Sequence, residues 1–310
     1  MSPPDAPRIL VVGAGPAGLS AALWLADFGV PFDWIDSAGE VGGMLRRVHN
    51  RIENHVGADF DNGEQFCEAM KLQRRARKLP LRRAKLTALR CTDPTPTAVV
   101  DEVPVSVERI LLATGTSYRL LGVAGEEEGL GHYVSQSATA DASRFSGKPV
   151  AVVGGGDAGF ENALRLADHG CTVTLLLRSS PRARPGFRDA VDAHPAIDIA
   201  PIPSVIRRID PTEMGCRLQI DRQDCALTLN VACLFVRIGV EPVLPRGCES
   251  LQTDERGFVV VDADGRSSHS SIFAAGDITS TPLRSVATAA GLAARAARCV
   301  ADELGYLGDG

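Results

Sequence analysis

Aromatic side chains are scarce in this 310-residue sequence, with Phe, Tyr and Trp together at 5%. So few rings leave little material for the stacking platforms on which single-stranded nucleic acids bind. A cationic surplus is missing as well: 33 Lys and Arg face 38 Asp and Glu, for a formal charge of −5. Polyanion binding needs the opposite balance, so no nucleic-acid partner is expected. Close cysteine pairs are also lacking. The eight cysteines at 67, 91, 171, 216, 225, 233, 248 and 299 include no two within five positions, which excludes a C-x-x-C redox pair and a zinc knuckle. Cys216, Cys225 and Cys233 could be imagined as metal ligands, but their spacing and strand-like surroundings suit buried thiols, and no metal is expected. Residues 1–7 are polar and proline-rich without a basic leader, so no export signal is expected. The thiols should then be free in a reducing cytoplasm. A membrane span is missing too. The one long apolar stretch, residues 9–30, is broken by Gly13, Gly15, Pro16, Gly18 and Asp27 and reads as a buried strand–turn–helix.

What is present is a repeat. Arg8-Ile-Leu-Val-Val-Gly-Ala-Gly-Pro-Ala-Gly18 is a short apolar strand running into G-x-G-x-x-G. Val150-Ala-Val-Val-Gly-Gly-Gly-Asp-Ala-Gly159 repeats it 141 residues later, counting Gly13 to Gly154. Helix patterns follow over 19–28 and 160–169, each closed by glycine (Gly29, Gly170), the expected C-cap. Second apolar strands follow over 32–36 and 172–177. In such a unit the first glycine makes the tight turn and the second lets the backbone approach a pyrophosphate. The third permits close helix–strand packing, and the helix N-terminus binds the diphosphate. The candidate residues are Gly13, Gly15, Pro16, Ala17 and Gly18 in the first copy. In the second they are Gly154, Gly156, Asp157, Ala158 and Gly159.

The two copies end differently. Asp36 lies 23 residues beyond Gly13 and can accept hydrogen bonds from an adenosine ribose. The same step from Gly154 reaches Leu177, with Arg178, Arg182 and Arg184 just behind. A basic cluster in place of the carboxylate suits a 2′-phosphate. The first site should therefore hold an unphosphorylated adenosine and the second NADPH; a solvated loop is the plainer reading of the arginines.

With these motifs in order, the chain resembles the low-molecular-weight thioredoxin reductase family nearly end to end. Gly42-Gly43-Met-Leu and Ile52-Glu53-Asn54 resemble its flavin-contacting G-G-Q-L and V-E-N segments. Ile110-Leu-Leu-Ala113-Thr114-Gly115 resembles its A-T-G stretch, and Val236-Arg237-Ile238-Gly239-Val-Glu-Pro242 its A-I-G-x-x-P turn. Ile272-Phe-Ala-Ala-Gly276-Asp277 is similar to its late G-D motif, whose aspartate bonds the flavin ribityl chain. Arg284-Ser285-Val286 stands where the family has R-Q-A beside the isoalloxazine. The resemblance implies an α/β protein with two Rossmann-like, three-layer nucleotide-binding domains. It implies a discontinuous FAD domain (1–112 and 247–310) interrupted by an NADPH domain (113–246), and usually a homodimer. The implied chemistry is hydride transfer from NADPH to FAD without a protein acid or base.

One departure bears on function. Ser135-Gln-Ser137-Ala-Thr-Ala140-Asp141 aligns with the family's redox-active C-x-x-C-Asp, and both cysteines are replaced, by Ser137 and Ala140. Two-electron exchange with a protein disulfide needs that thiol pair. Bacillithiol-disulfide-reductase-like relatives carry a cysteine inside the first glycine motif, where this chain has Pro16 and Ala17. Ferredoxin–NADP⁺ reductases of this type lack the pair, but have an aromatic near position 53 and a C-terminal extension. This sequence has Glu53 and ends at Gly310. Flavin monooxygenases have a linking fingerprint around a histidine that this sequence lacks. The acceptor thus stays open between an acidic redox protein, a small molecule and oxygen, with a nucleotide-sensing flavoprotein as the alternative. Between Lys71 and Lys85 eight basic residues run without an acidic one. They read as a solvated helix face entering a strand, or as a docking surface for an acidic partner. His55 is expected to be structural, with proton donation as the alternative, and residues 126–128 to form an exposed loop.

Overall fold

The computed structural model describes residues 9–91, 95–222 and 225–307. Residues 1–8, where no export signal was expected, and Gly310 lie outside the described residues. The chain forms two compact units, Met1–Ser117 with Glu241–Gly310, and Tyr118–Val240.

Each unit is built around a five-stranded parallel sheet, and the two sheets share one plan. In the first unit the order is Ile272–Ala274, Arg109–Leu112, Ile9–Val12, Asp33–Asp36, Arg82–Arg83. In the second it is Val134–Ser135, Cys233–Val236, Pro149–Val153, Thr172–Leu176, Ile197–Ile199. Apolar residues run continuously through the central strands because both faces are covered. Ile9 and Val11 join Ala21, Leu25, Ala293 and Ala297 of two helices in one core cluster. Leu10 and Val12 turn the other way, onto Leu89, Ala98 and Val100 of an antiparallel sheet formed by Leu86–Arg90, Thr97–Val100 and Val103–Ser106. The second unit repeats this alternation. Val150 and Val152 pack with helix residues Ala163 and Leu166, whereas Ala151 and Val153 meet Leu218 and Ile220 of the sheet Val205–Thr212, Gly215–Arg222, Cys225–Val231. Helix, parallel sheet and antiparallel sheet make the three layers.

The glycine helices span Pro16–Asp27 and Asp157–Asp168, each beginning three residues before the sequence pattern placed it. Pro16 at the first helical position has its φ set for a helix and no N–H to orphan, so the helix starts directly on the glycine turn. Both end identically. Gly29 (φ +72°) and Gly170 (φ +82°) take the left-handed cap, while Val30 and Cys171 donate back to Leu25 and Leu166.

The connections between units cross at 117/118 and 240/241, whereas the sequence placed them at 112/113 and 246/247. The segments after each expected boundary pair with one another. Val243 N donates to Gly115 O at 3.0 Å and Thr114 Oγ1 to Val243 O at 2.6 Å, which keeps 113–117 and 241–246 with the first unit. The expected exposed loop at 126–128 is corrected. Glu126–Gly129 is one helical turn, and Glu126 is buried at 1% exposure. Its carboxylate accepts Leu121 N at 2.9 Å and Gly122 N at 2.8 Å, bonds that offset its desolvation. Among the described residues no helix is long and apolar enough to cross a membrane.

Candidate functional site

In the first unit the glycine turn is closed by packing that admits no side chain. A Cβ on Gly13 (φ +105°) would come within 2.3 Å of Ala113 O, and one on Gly18 within 1.9 Å of Gly13 O. Gly15 caps the helix, and nothing lies within 4 Å of where its Cβ would be. That open face is what a diphosphate needs. Asp36 closes the neighbouring strand, its two carboxylate oxygens accepting Ala14 N at 2.9 Å and Ala38 N at 2.8 Å. Gly43 lies against Gly15, since its Cβ would meet Gly15 Cα at 3.2 Å. A cavity of about 510 Å³ opens beside this turn, with Gly13, Asp36 and Thr114 on its wall.

Lys85, Glu102 and Arg246 also line the cavity, and sequence reasoning assigned them no role there. They come from segments far from the glycine motif, and no local pattern ties them to it.

The late motif arrives from the other end of the chain. A Cβ on Gly276 (φ +82°) would meet Ala17 Cβ at 2.8 Å, so Gly276 sits against the first glycine helix. Burial pushes the Asp277 carboxyl above its usual range, opposed by the Arg284 guanidinium. The Arg284 guanidinium stacks 3.9 Å from the Phe258 ring centroid, and its Nε and Nη2 are buried without an acceptor among the described residues. Ser285 caps the helix Val286–Glu303 by accepting Thr288 N at 3.1 Å. An unfilled guanidinium fork and a desolvated carboxylate call for a ligand carrying both acceptors and hydroxyls, and a flavin nucleotide does. Asn54 stands exposed in the loop closed by the Ile52–Phe60 pairing, with no side-chain partner among the described residues. His55 meets Phe66 edge-on at 4.9 Å, and its Nδ1 is buried without a partner.

In the second unit Gly154 (φ +146°) turns so tightly that a Cβ would reach 2.2 Å from Arg237 O. A Cβ on Gly159 would reach 2.1 Å from Gly154 O, repeating the packing of Gly18 on Gly13. Gly156 caps the helix with open space about it, as Gly15 does. The arginine segment folds back on this turn, with Arg182 N and Ala183 N both donating to Gly155 O. Arg178 and Arg182 are exposed, and their side chains have no partner among the described residues. Arg184 differs. Asp157 accepts its backbone N at 2.8 Å and its Nε at 2.6 Å, which holds the Asp157 carboxyl below its ordinary value. Arg188, one turn further on, is also exposed and unpartnered among the described residues; sequence reasoning did not single it out. Ile238 is half-buried, and Gly239 (φ +100°) accepts Arg119 N at 3.0 Å.

The segment expected to stand at the redox pair is held by side-chain bonds. Ser137 caps the turn Ala138–Asp141, its Oγ accepting Ala140 N at 3.3 Å. Ser135 Oγ donates to Asp141 at 2.7 Å, Arg144 pairs with Asp141 at 2.9 Å, and Asn162 Oδ1 accepts Ala138 N at 2.7 Å. The cysteines are spread through the cores, with one correction: Cys225 is exposed, on an edge strand. Burial pushes the Cys216 and Cys248 thiols up to about 12 and Cys233 higher still. Within the basic run, Lys71 pairs with Glu68, Arg77 with Asp27 and Arg82 with Asp101, so part of its charge is balanced locally.

The pattern of the pyridine nucleotide-disulphide oxidoreductase family matches residues 7–293. The chain is 31% identical to the thioredoxin reductase of Mycolicibacterium smegmatis, covering 91% of this chain and 92% of that one. It is 29% identical to the F component of the alkyl hydroperoxide reductase of Pseudomonas aeruginosa over 97% of its own length, but spans only 58% of that protein. Among solved structures, a Lactococcus lactis thioredoxin reductase in its FR conformation superposes with a TM-score of 0.79. That match, at 24% identity, covers 97% of this chain and 99% of the other, and speaks for the fold. With two glycine turns of matching geometry and a family pattern running through both units, the chain belongs to the pyridine nucleotide-disulphide oxidoreductase family, among its thioredoxin-reductase-like members.

Proposed function

We propose that the first unit holds FAD and the second NADPH, and that electrons leave the flavin for an acceptor other than a thioredoxin dithiol. The observation that carries this is the contrast at the ends of the two glycine units. One ends in the carboxylate Asp36 with a cavity beside it; the other ends in the unpartnered Arg178 and Arg182.

Bound together, the two coenzymes supply the chemistry, a hydride passing from the nicotinamide to the flavin. The protein's part is to bind and orient. Asp36 accepts ribose hydroxyls, and the open amides at Gly15 meet the diphosphate. Asp277 would take a hydroxyl of the polyol chain, and Arg284, with Ser285 and Val286 at the helix start, would help to hold the flavin. Gly43, Ala113 and Gly115 supply close backbone, and Asn54 enters from its loop. Gly154 to Gly159 repeat the diphosphate cradle, with Ile238 and Gly239 on its far side. Arg178 and Arg182 read the 2′-phosphate, with Arg184 held alongside by Asp157.

Ser137 and Ala140 bring no thiol to this arrangement, and Asp141 is engaged by Ser135 and Arg144. The acceptor is an acidic redox protein, a small molecule or oxygen. Two copies of the chain associate, as the resemblance implies, in the cytoplasm.

The test is anaerobic mixing of purified protein with NADPH. About one FAD per chain and rapid bleaching of its absorbance are expected. A colourless protein that takes up no FAD would overturn the cofactor assignment. A yellow protein that binds NADPH without reduction would make it a nucleotide sensor instead.

A further inference from the structure

The second unit contains a cation that the coenzyme assignment leaves unused. Arg237 follows the strand Cys233–Val236 and stands where the resembling family has the alanine of A-I-G. It is half-buried, and among the described residues no carboxylate pairs with it. Its Nη1 donates to Gln136 O at 2.7 Å, and its plane lies 4.9 Å from the Tyr118 ring centroid. These two contacts fix the orientation of the guanidinium. They leave Nε, which is buried without an acceptor, and Nη2, which has none among the described residues. Nε and Nη2 form the side of the guanidinium whose two parallel N–H groups match two oxygens of one phosphate. A buried Nε without an acceptor is costly unless a partner is supplied on that edge.

The sheet order says which anion. Strand Pro149–Val153 lies between Thr172–Leu176 and Cys233–Val236. At its end the glycine turn is tied to both neighbours, since Gly154 N donates to Leu176 O at 3.3 Å and Arg237 N to Val153 O at 2.8 Å. Arg178 and Arg182 stand on the first flank and Arg237 on the second. A dinucleotide that rests its 2′-phosphate on the first flank and crosses the glycine turn brings its other half over the second. We propose that Arg237 holds the nicotinamide-side phosphate of NADPH through its Nε–Nη2 fork, oriented by Gln136 O and Tyr118. This rests on the coenzyme reading above. It makes Arg237 a binding residue specific to this chain rather than a filler of the turn.

Calorimetric titration of the flavin-loaded protein separates the parts of the ligand. NADP⁺ and 2′-phospho-ADP-ribose both carry the second phosphate, whereas 2′,5′-ADP lacks it. Arg237→Ala should weaken the first two about tenfold to a hundredfold, the size of a charged hydrogen-bonded pair, and leave 2′,5′-ADP unchanged. Arg237→Lys keeps the charge and loses the fork, so it should fall between the alanine variant and the parent. Unchanged NADP⁺ binding in Arg237→Ala would overturn the proposal. So would weakening of NADP⁺ alone, which would put Arg237 on the nicotinamide ring. Equal weakening of all three ligands would mean that the unit itself is disturbed, and would overturn it too. If the parent binds none of the three, the coenzyme reading fails first; if the parent binds and the variants match it, only this inference fails.

Discussion

Asp277 is held in the protein at a cost that its ligand should repay. Burial raises its carboxyl above the ordinary value, so the folded chain holds this proton more tightly than the unfolded chain does. The sign follows from linkage: the side chain's contribution to stability is fullest below about pH 4, the unfolded value, and is lost as pH rises through the folded value. In FAD-free protein, Asp277→Asn should therefore raise Tm near neutrality, with the gain shrinking towards pH 4. The same variant should bind FAD more weakly, because the amide is a poorer acceptor for a hydroxyl. Melting curves of the two proteins across this range check the first part, and a gain independent of pH would rule it out. The arginines invite a kinetic comparison. Removing Arg178 and Arg182 together should raise the NADPH KM about tenfold or more and leave NADH nearly untouched. Equal losses with both coenzymes would show that these guanidinium groups do not read the 2′-phosphate. Arg184 belongs to another category, since its exposed pairing with Asp157 costs little to break.

At the scale of elements, the segment 135–141 is a short turn held in shape by side-chain bonds. Ser137 caps it, Ser135 and Arg144 hold Asp141, and Asn162 ties it to the second glycine helix. Flavin reduction by NADPH should accordingly survive alkylation of the protein, with exposed Cys225 reacting first and the buried thiols near 12 staying protonated. Installing cysteines at both Ser137 and Ala140 should place two thiols across one helical turn. That variant should take up two more electrons per chain in an anaerobic titration. Strong inhibition of the parent by alkylation would point to a working cysteine elsewhere, Cys67 first. The sequence shows Ser137 and Ala140 where the resemblance expects a thiol pair; the bonds that hold this segment were not legible in it. Ser135, Ser137 and Asn162 are ordinary polar residues until the fold brings them together. Glu126 misled for the same reason. Three glutamates in a row read as solvated, and only the amides of Leu121 and Gly122 explain why one of them is buried.

At the scale of the whole chain, the two strand–turn–helix–strand units were plain in the sequence because their signals are local: apolar runs, glycine triplets and glycine caps. The matching strand order of the two sheets was not, because each sheet is completed by strands remote from its glycine motif. The walls of the first cavity were hidden for the same reason, as Lys85, Glu102 and Arg246 come from three separate segments. The nesting of one unit inside the other has a consequence for synthesis. The inserted unit has all its strands once residue 240 has been made. The outer unit must wait for its edge strand Ile272–Ala274 and for Val286–Glu303, the helix that covers Ala21 and Leu25 of the first glycine helix. A ribosome building this chain from its N-terminus therefore finishes the second unit first. The earliest-made residues keep an apolar face uncovered until the last, and during that interval a chaperone has most to protect.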